Sequence, residues 1–385
     1  MDFVFTPEEI AFRGEVRSTL QGWLRDRPEG GLEAWQFHRG FIKKLAELGW
    51  HTLAWPEEWG GQGANHMKQV AYNEEIAYND APAMDLGSDR VGPTIMLYGT
   101  EEQKQRFLPP IVRGEAVWCQ GFSEPGSGSD LASLETRAVE DGDTFVINGS
   151  KIWTSLAHLA QWMILLVRTD PDAPKHKGIS YLLLDMKTPG ITIQPLVDMA
   201  GRHTFNQVFF DNVRVPRDCL VSELNRGWYV AAATLDFERS GIQRVIGNLR
   251  TYEQLLAYAR ETKRNGRTLI EEPVVRNKLA ELKIEFEVGR LLAYRVAWMQ
   301  SQGLVPNYEA SVAKLYGSEL AQRLANAGVR ILGLGGQLAP GSPWAPLGGR
   351  IQAFYLSAAA LTIAAGTSEV QRNIIAGRGL GMPRD

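Results

Sequence analysis

The amino-acid sequence predicts an α+β fold in three parts, helical at both ends and built of β-strands in the middle. Apolar residues recur about every 3.6 positions up to about Val117, every second position to about Val221, and at helical spacing again from Gly227 onward. No helix-length segment lies between the strands of the middle part. The expected domains are residues 1–116, 117–224 and 225–385.

The first 116 residues carry repeated helix signals and are expected to form an all-α domain. Thr6, followed by Pro7, supplies a capping hydroxyl and a proline at the first helical position, with acids in the first turn. Thr100, with Gln103 three residues later, marks a second helix start. Between them, residues 55–63 form a loop rich in Trp and Gly.

The middle part consists of short apolar runs separated by Pro, Gly and Asp turns. Asn148-Gly149 stands between two such runs and is the strongest two-residue hairpin signal in the chain. Further strands are predicted at Trp162–Arg168, Ile179–Met186, Ile191–Val197 and Gln207–Phe210. An antiparallel sheet, sandwich or barrel is therefore expected, and not a Rossmann unit.

The C-terminal part is predicted to contain four helices, which suffice for a bundle. Apolar residues from Val275 to Ala293 fall on one face of a long helix. Glu309–Gly328 and Ile351–Ala364 are two more helices, and the segment Trp228–Thr262 supplies another. Gly335-Gly336 lacks the strand-turn-helix context of a dinucleotide fingerprint.

Composition excludes several function classes. A formal charge of −3 with scattered Lys and Arg gives no nucleic-acid surface. Two distant cysteines and six histidines without ligand spacing give no disulfide framework and no metal site. No apolar run approaches the roughly 20 residues that span a bilayer, and the N-terminus does not read as a secretory signal. We therefore expect a cytoplasmic protein without a membrane span.

The stretch Trp118–Asp130 reads W-C-Q-G-F-S-E-P-G-S-G-S-D and is expected to be a structured loop. Pro125 presets φ, while Gly126 and Gly128 permit positive φ. Successive backbone N–H groups in such a loop form a concave donor surface for phosphate or a polar ring edge. A plain tight loop between helix and strand is the alternative interpretation, and Cys119 is interpreted as a buried apolar residue.

Five separated motifs lie in order along nearly the whole chain. They are Y-G-T-E-E-Q-K-Q-R-F-L-P at Tyr98–Pro109, S-E-P-G-S-G-S-D at Ser123–Asp130, I-N-G-S-K-I-W-T-S at Ile147–Ser155, L-D-F-E-R at Leu235–Arg239 and A-G-T-S-E-V-Q-R-N-I-I-A at Ala365–Ala376. Together they resemble the acyl-CoA dehydrogenases, FAD-dependent flavoenzymes that desaturate acyl-CoA thioesters. The resemblance implies an N-terminal α domain, a middle antiparallel β-barrel and a C-terminal four-helix bundle.

The resemblance also implies how FAD is bound. The cofactor-binding residues would be Phe122, Ser123, Gly128, Ser129, Trp153, Ser155, Arg267, Thr268, Arg330, Gly333, Thr367 and Glu369. Trp153 would pack against the isoalloxazine ring, with Ser155 near N5. Arg267 and Thr268 would contact a FAD held mainly by a neighbouring subunit. On sequence alone, Trp153 would be interpreted as a core aromatic residue and Ser155 as a hydroxyl at the end of a hairpin.

The implied catalytic residues are Glu238 and Ala365. Many family members carry their glutamate base where this chain has Ala365, whereas a subset takes it from a motif like L-D-x-E-R, here Glu238. The backbone N–H of Ala365 would donate to the thioester oxygen, and Ser129, Asp236 and Arg239 would contact the substrate. For Glu238 the alternative is an exposed helix carboxylate paired with an arginine.

The resemblance implies an acyl-CoA substrate, electron transfer to an electron-transfer flavoprotein, and a homotetramer or an α2β2 heterotetramer. Leu269-Ile270 and Arg330 depart from the usual family pattern, so a partner subunit with an incomplete site is the alternative, and a flavin oxidase or monooxygenase is a third. Small residues at Ala358–Ala360, Ala364 and Ala365 predict a wide acyl pocket.

Overall fold

The computed structural model describes residues 3–28, 31–236 and 241–383. The helices are α1 (Pro7–Trp23), α2 (Gly31–Glu47), α3 (His66–Tyr78), α4 (Gly92–Tyr98), α5 (Glu101–Val112), α6 (Gly227–Asp236), α7 (Ile242–Ile246), α8 (Leu249–Glu261), α9 (Pro273–Ser301), α10 (Tyr308–Leu332), α11 (Arg350–Leu361) and α12 (Ser368–Ile374). The strands are β1 (Trp118–Gly121), β2 (Arg137–Asp141), β3 (Thr144–Lys151), β4 (Trp162–Arg168), β5 (Ile179–Asp185), β6 (Ile191–Val197), β7 (His203–Pro216), β8 (Leu220–Val221), β9 (Lys263–Arg264) and β10 (Arg267–Thr268). The predicted order of helices, strands and helices is confirmed.

The described residues pack as two compact units. The helical unit draws on residues 1–27, 65–81 and 239–385, and the β unit on 28–64 and 82–238. The N-terminal helices are divided between them, since α1 and α3 belong to the first and α2, α4 and α5 to the second. The domain boundaries at 116 and 224 stay a prediction.

Both predicted helix starts are closed by reciprocal capping. Thr6 Oγ1 accepts a hydrogen bond from the Glu9 backbone N–H at 3.2 Å, and the Glu9 carboxylate accepts one from Thr6 N–H at 2.9 Å. Thr100 and Gln103 make the same pair of bonds at the start of α5. Each pair satisfies donors that the first helical turn leaves without a partner, so these helix starts follow from local sequence.

The main sheet has the strand order β6-β7-β3-β2-β4-β5-β8, with β1 beside β4. It is mixed and not wholly antiparallel, because β1 runs parallel to β4 and β2 pairs with β4 in parallel at Arg137 and Arg168. A parallel pair needs a long connection, and about forty residues separate β1 from β4. β4 and β5 are buried along almost their whole length, which explains their continuous apolar sequence.

The predicted hairpin at Asn148-Gly149 is wrong. β3 runs straight through these residues to Lys151 and pairs with β7, and its register shifts between Ile147 and Gly149. The tight turn lies earlier, between β2 and β3 at residues 142–143. Gly149 has φ 143, and a Cβ there would lie 2.8 Å from the Thr136 Cα. The glycine is therefore required by a β-bulge that packs against a neighbouring backbone, not by a turn.

Gly149→Ala is expected to destabilise the protein by about 2 kcal/mol or more, because it adds a backbone clash to an unfavourable φ. Gly142→Ala is the matched control, since Gly142 also has positive φ but has no atom within 4 Å of the added Cβ. Its cost should be about 1 kcal/mol. Chemical unfolding measures the free energy of unfolding of both variants. Equal losses of stability would contradict a clash between the added Cβ and the Thr136 backbone.

In the helical unit, α9 and α10 carry the core. The predicted apolar face of α9 is confirmed, since Val275, Leu279, Leu282 and Phe286 are buried. The segment Trp228–Thr262, expected to supply one helix, contains three within its described residues: α6 belongs to the β unit, whereas α7 and α8 belong to the helical unit. Gly241, with φ 65, stands before α7. No helix within the described ranges is long and apolar enough to cross a membrane.

Candidate functional site

The Ser123–Asp130 loop is held by a buried carboxylate. Glu124 Oε1 accepts hydrogen bonds from Lys151 Nζ at 2.7 Å and Thr136 N–H at 2.8 Å, and Oε2 accepts one from Glu135 N–H at 2.6 Å. Burial by itself raises the pKa of Glu124, but Lys151 and the other donors outweigh it and hold the pKa below its usual range. The loop is thereby fixed to the start of β2 and the end of β3.

Lys151 joins this loop to the strand that leads to Trp153. Its side chain has no exposed surface, and Nζ also donates to the Phe122 carbonyl at 3.0 Å. Next to it, Ile152 N–H donates to the Ser123 carbonyl at 2.9 Å. The structure thus brings Phe122 and Ser123 close to the Trp153 segment. Sequence reasoning did not single out Lys151 or Glu124, although both lie inside motifs quoted for the resemblance.

Trp153 lies at a sharp turn. Its φ is 59, and Leu156 follows with φ 58. The turn is fixed on β7, where Thr154 N–H donates to the Asn206 carbonyl at 3.0 Å and Asn206 N–H donates back at 3.1 Å. The indole is 60% exposed and meets Phe205 edge to face at 5.8 Å. A core aromatic residue would be buried, so the alternative interpretation, in which Trp153 belongs to the core of the β unit, is not supported.

Two histidines lie behind this turn, and sequence reasoning missed both. The rings of His158 and His203 stack at 4.2 Å. Asn206 joins them, since its Nδ2 lies 3.1 Å from His158 Nδ1 and its Oδ1 lies 2.9 Å from His203 Nε2. Burial, followed by the neighbouring imidazole, lowers the pKa of His158, which favours its neutral form. Asn206 Nδ2 also donates to the Thr154 carbonyl at 3.0 Å, so the pair supports the Trp153 turn.

The residues of the β unit fit an isoalloxazine ring. An exposed indole offers a flat apolar face, and Ser155, two residues on, is exposed as a hydroxyl donor. Gly128 and Ser129 are also exposed, and no atom lies within 4 Å of a Cβ built on Gly128. The Thr154 hydroxyl is buried without a hydrogen-bond partner among the described residues. Apolar faces with a few polar edge groups are typical of cofactor sites.

In the helical unit, Ala365 and Thr367 lie in the connection from α11 to α12, and Glu369 lies in α12 itself. Ala365 has φ 54 and is exposed. Thr367 is the N-cap of α12, with Oγ1 accepting a hydrogen bond from Val370 N–H at 3.2 Å. Glu369 lies exposed in the first turn and, with Thr367 and Arg372, lines a groove of about 450 Å³.

The residues implied at the subunit boundary gather at the end of α10. Arg264, paired with Arg267 in the β9–β10 hairpin, donates from Nη2 to the Ile331 carbonyl at 3.1 Å. Thr268 caps the following turn through Glu271. Arg330 is exposed and lines a groove of about 620 Å³. Its other lining cations are Arg264, Lys278 and Arg323.

The substrate-side residues are less completely described. Glu238 and Arg239 lie outside the described residues, as does the side chain of Asp236, which ends α6. Thr234 on α6 is buried and contacts Thr94 through a hydroxyl pair at 2.9 Å. Cys119 is buried, and burial raises its pKa, which agrees with an apolar role and not a nucleophilic one.

Comparison with known proteins matches all three parts of the chain to domains of the same protein family. Its N-terminal residues 6–115 match the acyl-CoA dehydrogenase N-terminal domain. Residues 119–213 match the middle domain of the same family and residues 225–380 its C-terminal domain. The chain is 39% identical over 388 residues to acyl-CoA dehydrogenase IpdE1 of Mycobacterium tuberculosis, covering 96% of this chain and 98% of that protein.

Solved structures give the same result. The ChsE4-ChsE5 complex from Mycobacterium tuberculosis matches with a TM-score of 0.91 and 37% identity over all of both chains. The Tcur3481-Tcur3483 steroid ACAD matches with a TM-score of 0.90 and 36% identity, again over all of both chains. The chain therefore belongs to the acyl-CoA dehydrogenase family of FAD-dependent oxidoreductases, with the helical, β and helical parts that this family shares.

Proposed function

We propose that this enzyme introduces an α,β double bond into a bulky acyl-CoA thioester. The exposed Trp153 turn supports the proposal most directly, because it exposes an aromatic face and, two residues later, the Ser155 hydroxyl. Lys151 and Glu124 hold that turn and the Ser123–Asp130 loop in one arrangement. An isoalloxazine against Trp153 would then have its N5 edge near Ser155.

The reaction needs a hydride acceptor at the β carbon, a base at the α carbon and donors for the thioester oxygen. When bound, FAD supplies the hydride acceptor. The backbone N–H of Ala365 supplies one donor, and this role is independent of its side chain. Such fixed donors stabilise the enolate-like charge that develops as the proton leaves. Ser129, Asp236 and Arg239 are proposed to hold the CoA arm.

We assign the base to Glu238. A methyl side chain at Ala365 cannot remove a proton, and Glu238 lies two residues beyond the end of α6 in the L-D-F-E-R motif. A thioester α proton is too weakly acidic for a solvated carboxylate at neutral pH. The base must therefore act where water is excluded, because desolvation makes a carboxylate a stronger base.

A bulky acyl group is supported by small side chains and by the relatives. Ala364 and Ala365 are exposed between α11 and α12, and Ala360 is exposed at the end of α11. Larger residues there would narrow an adjoining pocket. One similar structure is described as a steroid ACAD. We therefore expect branched, cyclic or steroid-like acyl chains to react faster than short straight ones.

The proposed assembly is a tetramer, homomeric or α2β2, that passes electrons to an electron-transfer flavoprotein. A second function, partner subunit of a heterotetramer, is supported by the departures near the subunit boundary. Leu269 is buried, and Arg330 is exposed in the α10 groove. The ChsE4-ChsE5 relative is itself described as a complex of two proteins.

One experiment separates these functions. The chain is purified alone, its native mass and flavin spectrum are recorded, and it is titrated with butyryl-CoA and with branched and steroid-side-chain thioesters. We expect stoichiometric FAD in a tetramer and flavin bleaching by a bulky thioester. Faster reduction by butyryl-CoA than by every bulky thioester would contradict the proposed substrate class. FAD binding that requires a second chain would favour the partner-subunit function.

A further inference from the structure

The connection between α11 and α12 holds two successive residues at positive φ. Ala365 has φ 54 and Gly366 has φ 83. Glycine adopts such angles readily, but alanine is strained there and keeps the conformation only where its surroundings impose it. Two side chains from other parts of the helical unit supply that constraint.

Lys314 reaches this connection from α10. Lys314 is 6% exposed, and its Nζ donates to the Gly366 carbonyl at 2.6 Å and to the Leu361 carbonyl at 3.2 Å. Burial, and to a lesser extent the nearby Arg244, lowers the pKa of Lys314 to about 8. The contact with Leu361 satisfies a carbonyl at the C-terminal end of α11, where a cation is favourable. One lysine therefore joins the end of α11 to the strained pair.

Gln371, on α12, contacts the same connection and shares the Gly366 carbonyl with Lys314. Its Nε2 lies 3.2 Å from the Ala365 carbonyl and 3.4 Å from the Gly366 carbonyl. A Cβ on Gly366 would come within 2.5 Å of that nitrogen, so the approach depends on glycine. The carbonyls on both sides of Gly366 are thereby held, and Lys314 also holds the Leu361 carbonyl, so the short segment that contains the Ala365 N–H is anchored at both ends.

In this conformation the Ala365 N–H can donate a hydrogen bond to a ligand. Within residues 3–28, 31–236 and 241–383, no backbone carbonyl accepts a hydrogen bond from it, although the neighbouring Ala364 N–H donates to Ala360 at 2.9 Å. The residue is also exposed. A backbone N–H that is solvent-exposed, and whose neighbouring carbonyls are held by side chains, is suited to stabilise a developing negative charge.

We propose that Lys314 and Gln371 are positioning residues for the reaction, which hold the Ala365 N–H in the direction of the thioester oxygen. The proposal rests on the proposed function, in which this N–H stabilises the enolate-like charge. Neither side chain touches the substrate. They act by fixing the peptide planes on both sides of Gly366.

The test uses Lys314→Met and Gln371→Met in the FAD-bound enzyme. Each variant is mixed rapidly with a bulky acyl-CoA, and the carbonyl stretch of the same thioester, labelled with ¹³C, is recorded in the complex. We expect flavin reduction to slow by at least ~10-fold with little change in KM, because this hydrogen bond contributes little to binding and strengthens mainly as negative charge develops on the thioester oxygen. The shift of the carbonyl stretch caused by binding should shrink in parallel.

Ser318→Ala is the matched control. Ser318 is buried one turn further along α10, and its hydroxyl bonds only to helix carbonyls, at Lys314 and Leu315, among the described residues. Its reduction rate and carbonyl shift should equal those of the parent enzyme. If Lys314→Met cannot be purified as a folded, FAD-bound protein, Gln371→Met tests the positioning role instead, because it keeps the lysine contacts.

The outcomes are distinguishable. Parent-like carbonyl shift and reduction rate in a folded Lys314 or Gln371 variant would overturn the positioning role and leave the proposed function intact. A parent enzyme that binds the thioester without any carbonyl shift and without flavin reduction would instead overturn the proposed function.

Discussion

Glu238→Gln is expected to leave FAD bound and to slow flavin reduction by at least ~10²-fold, the usual scale for loss of a general base. Glutamine keeps the size and hydrogen bonding of the side chain but cannot accept the α proton. The carboxylate is the assigned base because Ala365 occupies the position where many family members carry a glutamate. Rapid mixing with a bulky acyl-CoA, followed by flavin absorbance, measures the rate of the reductive step directly.

Glu261→Gln is a suitable control for this experiment. Glu261 is exposed at the end of α8, so the same change of charge there should not alter the reduction rate. The FAD content and unfolding midpoint of Glu238→Gln should match the parent, which separates loss of the base from loss of the fold. Reduction of the variant at the parent rate would show that the base is another group.

Lys151→Met is expected to destabilise the protein by about 3–5 kcal/mol, because it leaves the Glu124 carboxylate buried and without its cation. Lys151 has no exposed surface and Glu124 is 8% exposed. The same change releases the Phe122 carbonyl, so FAD affinity should fall together with stability. Denaturant unfolding of the purified protein, with and without added FAD, measures both effects.

Lys175→Met provides the matched comparison. Lys175 forms an ion pair with Asp130 at the same 2.7 Å, but its side chain is 61% exposed. Water screens such a pair, and its loss should cost less than about 1 kcal/mol. The double variant Lys151→Met/Glu124→Gln should recover part of the loss, since the unpaired charge is removed. Equal effects of the two lysine variants would contradict the role of burial.

The buried pair also predicts an acid dependence. The pKa of Glu124 is lower in the folded than in the unfolded protein, so its stabilising contribution is present above the unfolded pKa. That contribution is lost as the pH falls through the lower folded-state value. Glu124→Gln removes a proton-binding site from both states, so this part of the acid-induced loss should disappear from its unfolding curve.

Local sequence determined much of the fold. The capping boxes at Thr6 and Thr100, and the apolar face of α9, act between residues a few positions apart, so their signals are complete within short windows. The change of period near residues 117 and 227 likewise located the strands. The family followed from motifs whose order along the chain is a property of the sequence itself.

Asn148-Gly149 shows where local signals fail. The dipeptide favours a tight turn, yet the same glycine is required when a strand bulges against another backbone. Which requirement applies depends on Thr136, thirteen residues before Gly149, whose position only the folded sheet fixes. The parallel pairing of β1 with β4 has the same origin, since it joins segments about forty residues apart.

The candidate site divides in the same way. The resemblance of the sequence motifs to the family singled out Trp153, Ser155, the Ser123–Asp130 loop and Ala365 as candidates. Only the tertiary structure disclosed the groups that hold them, Lys151 with Glu124 and Lys314 with Gln371. A lysine in a sequence is ordinarily interpreted as an exposed charge, and its burial depends on carbonyls and carboxylates from distant segments. The sequence gives the chemical type of each residue, whereas the packing of distant segments determines how far that residue is buried and which groups it contacts.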